Sequence, residues 1–279
     1  MTYSIVGRDA ETGELGVAVQ SRAFNTGAVV PWAAPGVGVV ATQSYTEVSY
    51  GPLGLELLRG GKSPEQALAE LVAADDDSAY RQVAILDAAG RVAVHVGEAC
   101  IQAAGFAAGD GFSAQANMVS SERVWESMAE AFERSEDPLA QRLLSALDAA
   151  EAAGGDWRGR QAGGILVVGA EGRPWERKVD LRVDDHPEPL GELRRLLRLR
   201  RAYEAMRGPP GPSEEDLEAL PELDRRLAAI FAATAAGRLD EARELFRPLL
   251  AEEPRWGDFV RTLADRELLP NAAELLDGA

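Results

Sequence analysis

Cysteine is almost absent from this 279-residue chain, Cys100 being the only one. No intrachain disulfide can form, and the shortage fits a reducing compartment, so the cytoplasm is the expected location. Histidine is nearly as scarce: His95 and His186 stand far apart. A zinc site rich in His and Cys is therefore not expected. A Ser-His-Asp triad would have only two candidate bases, and no G-x-S-x-G elbow accompanies either. Long apolar runs are missing too, so no membrane span is expected. Basic residues are in deficit, 29 against 46 acidic ones, for a net charge of −17. A chain this acidic repels phosphate backbones and anionic bilayers, so neither nucleic acid nor membrane is an expected partner. The N-terminus lacks the basic and apolar regions of a secretory signal.

What is present reads as a globular protein, with 46% hydrophobic residues. "TYSIVGRD" and "LGVAVQSRA" flank the polar "AETGE" as a hairpin. "GVGVVATQS" is a third, buried strand. Two helical stretches follow, the second opening with Ser63 as N-cap and Pro64 at its first position. "RQVAILD" and "RVAVHVG" form a second hairpin, and "GFSAQANMV" is a further strand. "SERVWESMAEAFE" and "DPLAQRLLSALDAAEAAGG" repeat apolar residues at helical spacing. "GGILVVGA" and "VDLRVDD" close the strand pattern. Hairpins, then helices, then strands predict an α+β fold, with two mainly antiparallel sheets packed together and covered by helices on both outer faces.

From Leu190 the pattern is purely helical. "GPPGPSEED" reads as a linker, and residues beyond it as a small all-helical module. Gly237, Ala242, Phe246 and Pro254 have the spacing of the second half of a tetratricopeptide repeat, although Pro248 falls inside that helix. A helical hairpin docked on the main domain or on a partner subunit is the other reading. The expected domains are residues 1–207, a linker at 208–216 and a helical module at 217–279.

Thr2 is the first candidate for chemistry. It is a good strand former, yet removal of Met1 would place an α-amino group beside its hydroxyl. One residue would then supply both nucleophile and base. Ser21, Arg22, Asn25 and Thr26 fall at a strand end and the loop after it, where sites are built. Arg22 could lower the pKa of a neighbouring amine or hold a substrate carboxylate, or lie at the surface. Gln43, between Thr42 and Ser44, could bind substrate or satisfy a strand end. Asn117 could donate an oxyanion hydrogen bond or cap the next helix. Asp156, Arg158, Arg160 and Gln161 precede a buried strand. Asp184 and Asp185 could bind a cation or precede a helix as its cap. No metal site is assigned. The glycine-rich "AAGFAAGDGFS" lacks phosphate-binding spacing, so no cofactor is expected.

These stretches also carry a family resemblance. "MTYSIVGRDAETGELGVAVQSRAFNTGAVVPWAAPGVGVVATQSY", "SYGPLGLELL", "RQVAILDAAGRVAVHVGEACI", "AQANMV", "GRQAGGILVV" and "VDLRVDDHPEPLGELRRLL" together resemble the DUF1028 family, from about residue 2 to 207. That resemblance implies a four-layer αββα sandwich of the N-terminal-nucleophile (Ntn) hydrolase kind, with Thr2 at the nucleophile's position. It implies an amidohydrolase cleaving a C–N bond in a small amide, imide or ureide, with Thr2 and Asn117 catalytic and Ser21, Arg22 and Gln43 binding substrate. The partner would be a small-molecule substrate, and the assembly a homo-oligomer. A non-catalytic ligand-binding or assembly protein retaining the fold is the rival. In proteasome-like relatives an acidic residue and an arginine follow the second strand. Here "VQSRA" offers Gln20 or Ser21 and then Arg22, with no carboxylate.

Overall fold

The computed structural model describes residues 2–206 and 212–277. In chain order the elements of the first part are β1 (Thr2–Arg8), β2 (Leu15–Ser21), α1 (Thr26–Val29), β3 (Pro31–Ala34) and β4 (Gly38–Ser44). Next come α2 (Tyr50–Arg59), α3 (Pro64–Ala73), β5 (Arg81–Asp87), β6 (Val92–Val96), β7 (Gly105–Gly109) and β8 (Phe112–Asn117). Then follow α4 (Arg123–Arg134), α5 (Leu139–Ala152), β9 (Ala162–Val168), β10 (Val179–Val183) and α6 (Pro189–Ala205). The strands form a six-stranded sheet, β10-β9-β2-β1-β8-β7, and a four-stranded sheet, β3-β4-β5-β6. Every pairing between these strands is antiparallel.

Side-chain alternation sorts the strand residues into layers. Val6, Leu15, Val17 and Val19 of the larger sheet meet Val39, Ala41, Ala84 and Leu86 of the smaller one. Tyr3, Ile5 and Ala18 point the other way, into a cluster with Phe132 of α4 and Leu143 and Leu147 of α5. On the far side, Val40, Val83 and Ile85 pack against Leu55 and Leu58 of α2 and Leu68 and Leu71 of α3. The order is helices, sheet, sheet, helices, as the patterning predicts. Both faces of each sheet are covered, so β1, β2, β5 and β9 read as continuous apolar runs and show little polar alternation.

The central strands carry glycine where the helices come closest. A Cβ at Gly7 would lie 2.7 Å from Phe132 Cζ, and one at Gly16 would lie 2.6 Å from Leu143 Cδ1. Ser63 is the N-cap of α3 as expected, and it forms a capping box: Ser63 accepts from the Gln66 N–H while the Gln66 side chain accepts from the Ser63 N–H.

Three elements differ from the sequence expectation. α1 and β3 interrupt the stretch between β2 and β4, where only a loop is read. "AAGFAAGDGFS", read as a loop, supplies β7 and the start of β8 instead, with Gly111 in the left-handed region at φ 72° at their turn. Alanine and glycine give no β-propensity signal. Pairing of Gly105–Gly109 with Phe112–Ala116 is what makes the strand.

The chain divides into two compact units, with the boundary between Leu197 and Arg198, inside α6. The expected linker at 208–216 falls partly outside the described residues; its last three residues begin a helix. The second unit comprises the end of α6 and α7 (Glu214–Ala219), α8 (Glu222–Ala235), α9 (Leu239–Glu252), α10 (Arg255–Asp265) and α11 (Ala272–Leu276). Ser213 caps α7 in a capping box with Asp216. Ile230, Ala233, Phe246, Leu249, Val260 and Leu275 form this unit's own core. Pro248 lies inside α9, which continues through it.

The close seat of Leu143 on Gly16 generates a stability prediction. Leu143→Ala is expected to cost about 3 kcal/mol, because the residue is fully buried. Gly16→Ala alone is expected to destabilise by overpacking. The double variant should cost less than the sum, since the new methyl occupies space that Leu143 vacates. Urea unfolding of the four proteins measures that coupling.

Candidate active site

The space between the two sheets changes character along its length. At one end it is the aliphatic cluster around Val6 and Leu86. At the other end the same inward-facing register positions carry Thr2, Ser4, Ser21, Gln43, Gln82, Ser113, Gln115 and Asn117, all buried. β1 begins at this polar end, between the end of β2 and the end of β8. Thr2 is paired with Ser21 on one side and with Asn117 on the other. Its hydroxyl lies 3.1 Å from Ser21 Oγ, and the residue is 8% exposed. Residue 1 lies outside the described residues.

Gln82 organises the amides around Thr2. Its Nε2 donates to the carbonyls of Ala116 (2.9 Å) and Gly105 (3.2 Å). Only an amide nitrogen can satisfy two carbonyls, so the orientation of Gln82 follows from its partners. Its Oε1 must then accept, and does so from Gln43 Nε2 at 2.7 Å and Asn117 Nδ2 at 3.0 Å. Gln43 Nε2 also lies 3.4 Å from the carbonyls of Thr2 and Gln115. The carbonyl oxygens of both amides, Gln43 Oε1 and Asn117 Oδ1, are left buried with no hydrogen-bond partner. Alongside, Gln115 Nε2 donates to Ser4 Oγ at 2.6 Å, and Ser113 Oγ donates to Gln115 Oε1 at 3.0 Å.

The structure therefore brings Thr2, Ser21, Gln43 and Asn117 together. Arg22 is divided: its backbone N–H lies at the site, while its exposed side chain donates to Gln161. Asn117 ends a strand and gives an N–H to Gln82, with no helix-capping bond. Gln82 itself is absent from the sequence reading. It sits opposite Gln43 in the register, but nothing in "RQVAILD" marks it before β4 and β5 are paired.

The carboxylate missing from "VQSRA" arrives from elsewhere. Asp156, in the loop before β9, accepts from the Arg22 backbone N–H at 2.9 Å and from the Arg158 backbone N–H at 2.8 Å. It is buried, and the Arg158 guanidinium stands 3.2 Å from it. On the helix side, Tyr3 donates its hydroxyl to Glu151. Burial, with the Glu151 charge added, pushes that phenol well above its ordinary range, so it remains a donor. Asp185 accepts from Gln161 and caps no helix. Among the described residues no three His, Cys, Asp or Glu side chains are grouped to hold a metal ion.

The backbone at this end is under tension. Asn25, Ser44 and Met118 have positive φ, at 60°, 73° and 55°. Each follows or ends one of the strands that flank Thr2 or face it. Non-glycine residues held there cost about 1–3 kcal/mol each, and such positions concentrate at functional sites. A buried ion pair braces the opposite lip. Arg81 Nε donates to Asp75 at 2.8 Å, its Nη1 donates to the Tyr45 carbonyl at 2.7 Å, and its guanidinium stacks 5.2 Å from the Tyr45 ring centroid.

Fold and site together define a class: a four-layered α-β-β-α sandwich with a threonine at the head of a central strand, set in a buried polar cluster. A family model described as "Family of unknown function (DUF1028)" matches residues 2–193, and the chain belongs to that family. The crystal structure of protein SPO2555 from Silicibacter pomeroyi, of the same family model, is similar at 32% identity and TM-score 0.66, covering 75% of this chain and 90% of that one. An Anbu (Gly-1) mutant from Hyphomicrobium sp. strain MC1 is similar at 12% identity and TM-score 0.36, covering 73% of this chain and 97% of its own. Anbu (ancestral beta-subunit) from Yersinia bercovieri is similar at 13% identity and TM-score 0.33, covering 70% and 92%. No curated protein matches the chain.

Two predictions follow from the amide cluster and its brace. Gln82→Leu keeps the volume but removes the hydrogen bonds of Gln82 with two carbonyls and two amide groups. It is expected to cost about 3–5 kcal/mol, measured by urea unfolding. Asp75→Asn tests the ion pair. The hydrogen bond from Arg81 holds the Asp75 carboxyl below its ordinary value. A lowered folded pKa stabilises the fold above the unfolded value of about 3.9, and the gain is lost as pH falls through the folded value. The substitution should therefore cost about 2 kcal/mol at pH 7 and progressively less below about pH 4, read from urea titrations at both pH values.

Proposed function

We infer that the chain is an N-terminal-nucleophile hydrolase acting on a C–N bond in a small amide, imide or ureide. The observation that carries this reading is the position of Thr2: the first residue of a central strand, its hydroxyl set in the buried polar cluster between the sheets and 3.1 Å from Ser21 Oγ.

With Met1 removed, the α-amine of Thr2, with an ordinary pKa of about 8, is a base beside its own hydroxyl. Thr2 Oγ1 bonds to the substrate carbonyl carbon as its proton passes to that amine. The C–N bond then breaks, and the leaving nitrogen departs with the proton. Water attacks the resulting ester, releases the acid and returns the hydroxyl to Thr2. Asn117 Nδ2 carries two hydrogens, one of them given to Gln82, and the other is suited to the developing oxyanion. Ser21 orients the nucleophile. Gln43, tied to the Thr2 carbonyl, holds the strand end in place, and Arg22 holds it through its backbone bond to Asp156.

A non-catalytic binding or assembly role is supported by one observation: the side-chain amides of Gln43 and Asn117, beside Thr2, each already donate to the Gln82 oxygen.

The intact mass of the full-length chain separates these readings. The hydrolase reading expects the mass to be lower by one methionine. It also expects hydrolysis within a panel of small amides, imides and ureides, followed as the new carboxylic acid and reduced about a thousandfold or more in Thr2→Ala. Retention of Met1, or full turnover by Thr2→Ala, overturns it.

A further inference from the structure

The polar end of the sandwich is ringed by exposed apolar side chains. Phe24, Tyr45, Tyr80, Ile101 and Trp157 are each half or more exposed. All five stand on loops attached to the residues around Thr2. Phe24 lies three positions beyond Ser21, the β2 partner of Thr2. Trp157 follows Asp156, whose carboxylate holds the Arg22 N–H. The Ile101 carbonyl accepts from Met118, the residue after Asn117. Tyr45 and Tyr80 extend from the end of β4 and the start of β5; the Tyr45 N–H donates to the Tyr80 carbonyl, and their rings meet edge to face at 6.5 Å. Among the described residues, the turns at the opposite end of the sandwich expose one large apolar side chain, Trp175. Apolar side chains gathered on one end and bordering a polar centre are the composition of a ligand mouth.

The architecture limits what the mouth can admit. The sheets lie about 10 Å apart, and β2, β1 and β8 span about 10 Å at about 4.8 Å per strand. The cross-section of the inter-sheet space at Thr2, side chains included, is thus on the order of 100 Å², against about 800 Å² per partner for a stable protein interface. That cross-section is on the scale of one group of a small molecule.

Two of the three cations bordering the mouth are already paired with carboxylates. Arg81 is buried on Asp75, Arg158 is bound to Asp156, and the Arg22 guanidinium is bound to Gln161. We propose that the site takes an uncharged amide bearing an aromatic or branched apolar group, whose apolar part lies against the rim while its amide faces Thr2. This rests on the hydrolase reading for the fate of the amide, but not for its binding.

Binding and turnover are measured separately on the full-length chain. Thr2→Ala, titrated calorimetrically, is expected to bind phenylacetamide at least about tenfold more tightly than acetamide or the anionic succinamate. Adding Tyr45→Ala or Trp157→Ala should weaken phenylacetamide about threefold to tenfold and leave acetamide unchanged. Equal binding of the three ligands, binding of none, or rim variants that bind phenylacetamide as before would overturn the proposal. Rim variants that dissociate an oligomer without changing that affinity would assign the rim to a subunit contact, and also overturn it. Selective binding without ammonia release from phenylacetamide by the unsubstituted protein would leave the ligand class standing and remove the hydrolase reading.

Discussion

A polar cluster sealed between two sheets must find its hydrogen bonds inside the protein. Here that requirement converges on one amide. Gln82 reaches from the smaller sheet to two carbonyls of the larger one, and its oxygen gathers the nitrogens of Gln43 and Asn117. Those bonds set how the two sheets meet at the end where β1 begins, and hence where Thr2 stands. At the other end the same two sheets meet through Val6, Val17, Val39 and Leu86, which need only shape. The sandwich is thus held by unspecific burial at one end and by directional bonds at the other. Directional bonds in a low-dielectric interior are the stricter constraint, because each missing partner leaves a desolvated group.

The positive φ values of Asn25, Ser44 and Met118 belong to the same arrangement. Three strands that must deliver Ser21, Gln43 and Asn117 to one place leave that place through awkward turns. The surrounding bonds stabilise those turns: Asp156 on the Arg22 backbone, and Arg81 on the Tyr45 carbonyl. This polar end, with its positive-φ residues and the unpartnered oxygens of Gln43 and Asn117 beside exposed apolar side chains, is where the proposed ligand site lies.

The resemblance of "MTYSIVGRDAETGELGVAVQSRA" and its companion blocks to one family held over residues 2–193. The layered fold was legible because the order of elements is itself informative: hairpins and helices in that sequence leave few ways to cover two sheets. Less legible were α1, β3 and β7. They are short, and "GFAAG" carries no β-branched residue, so they exist only because a neighbouring strand or loop is there to pair or pack with. The site divides in the same way. Thr2, Ser21, Gln43 and Asn117 could be named from their places at strand ends. Gln82 could not, and neither could the role of Asp156, whose partner Arg22 lies 134 residues away.

By itself the sequence determined which chemistry was open to this protein. One cysteine and two histidines leave few arrangements for a zinc site or a Ser-His-Asp triad, and it is the resemblance to one family that points to the threonine behind Met1. Strand and helix periodicity determined the layers, because burial follows side-chain alternation along each element. Tertiary structure alone decided which polar residues face one another, since register places Thr2 between Ser21 and Asn117 and puts Gln82 opposite Gln43. It alone decided that five apolar side chains from separate loops ring one end. The physical reason is that pairing and packing are long-range: a residue's composition and neighbours in sequence set what it can bond to, while the closing of the sheets sets what it meets.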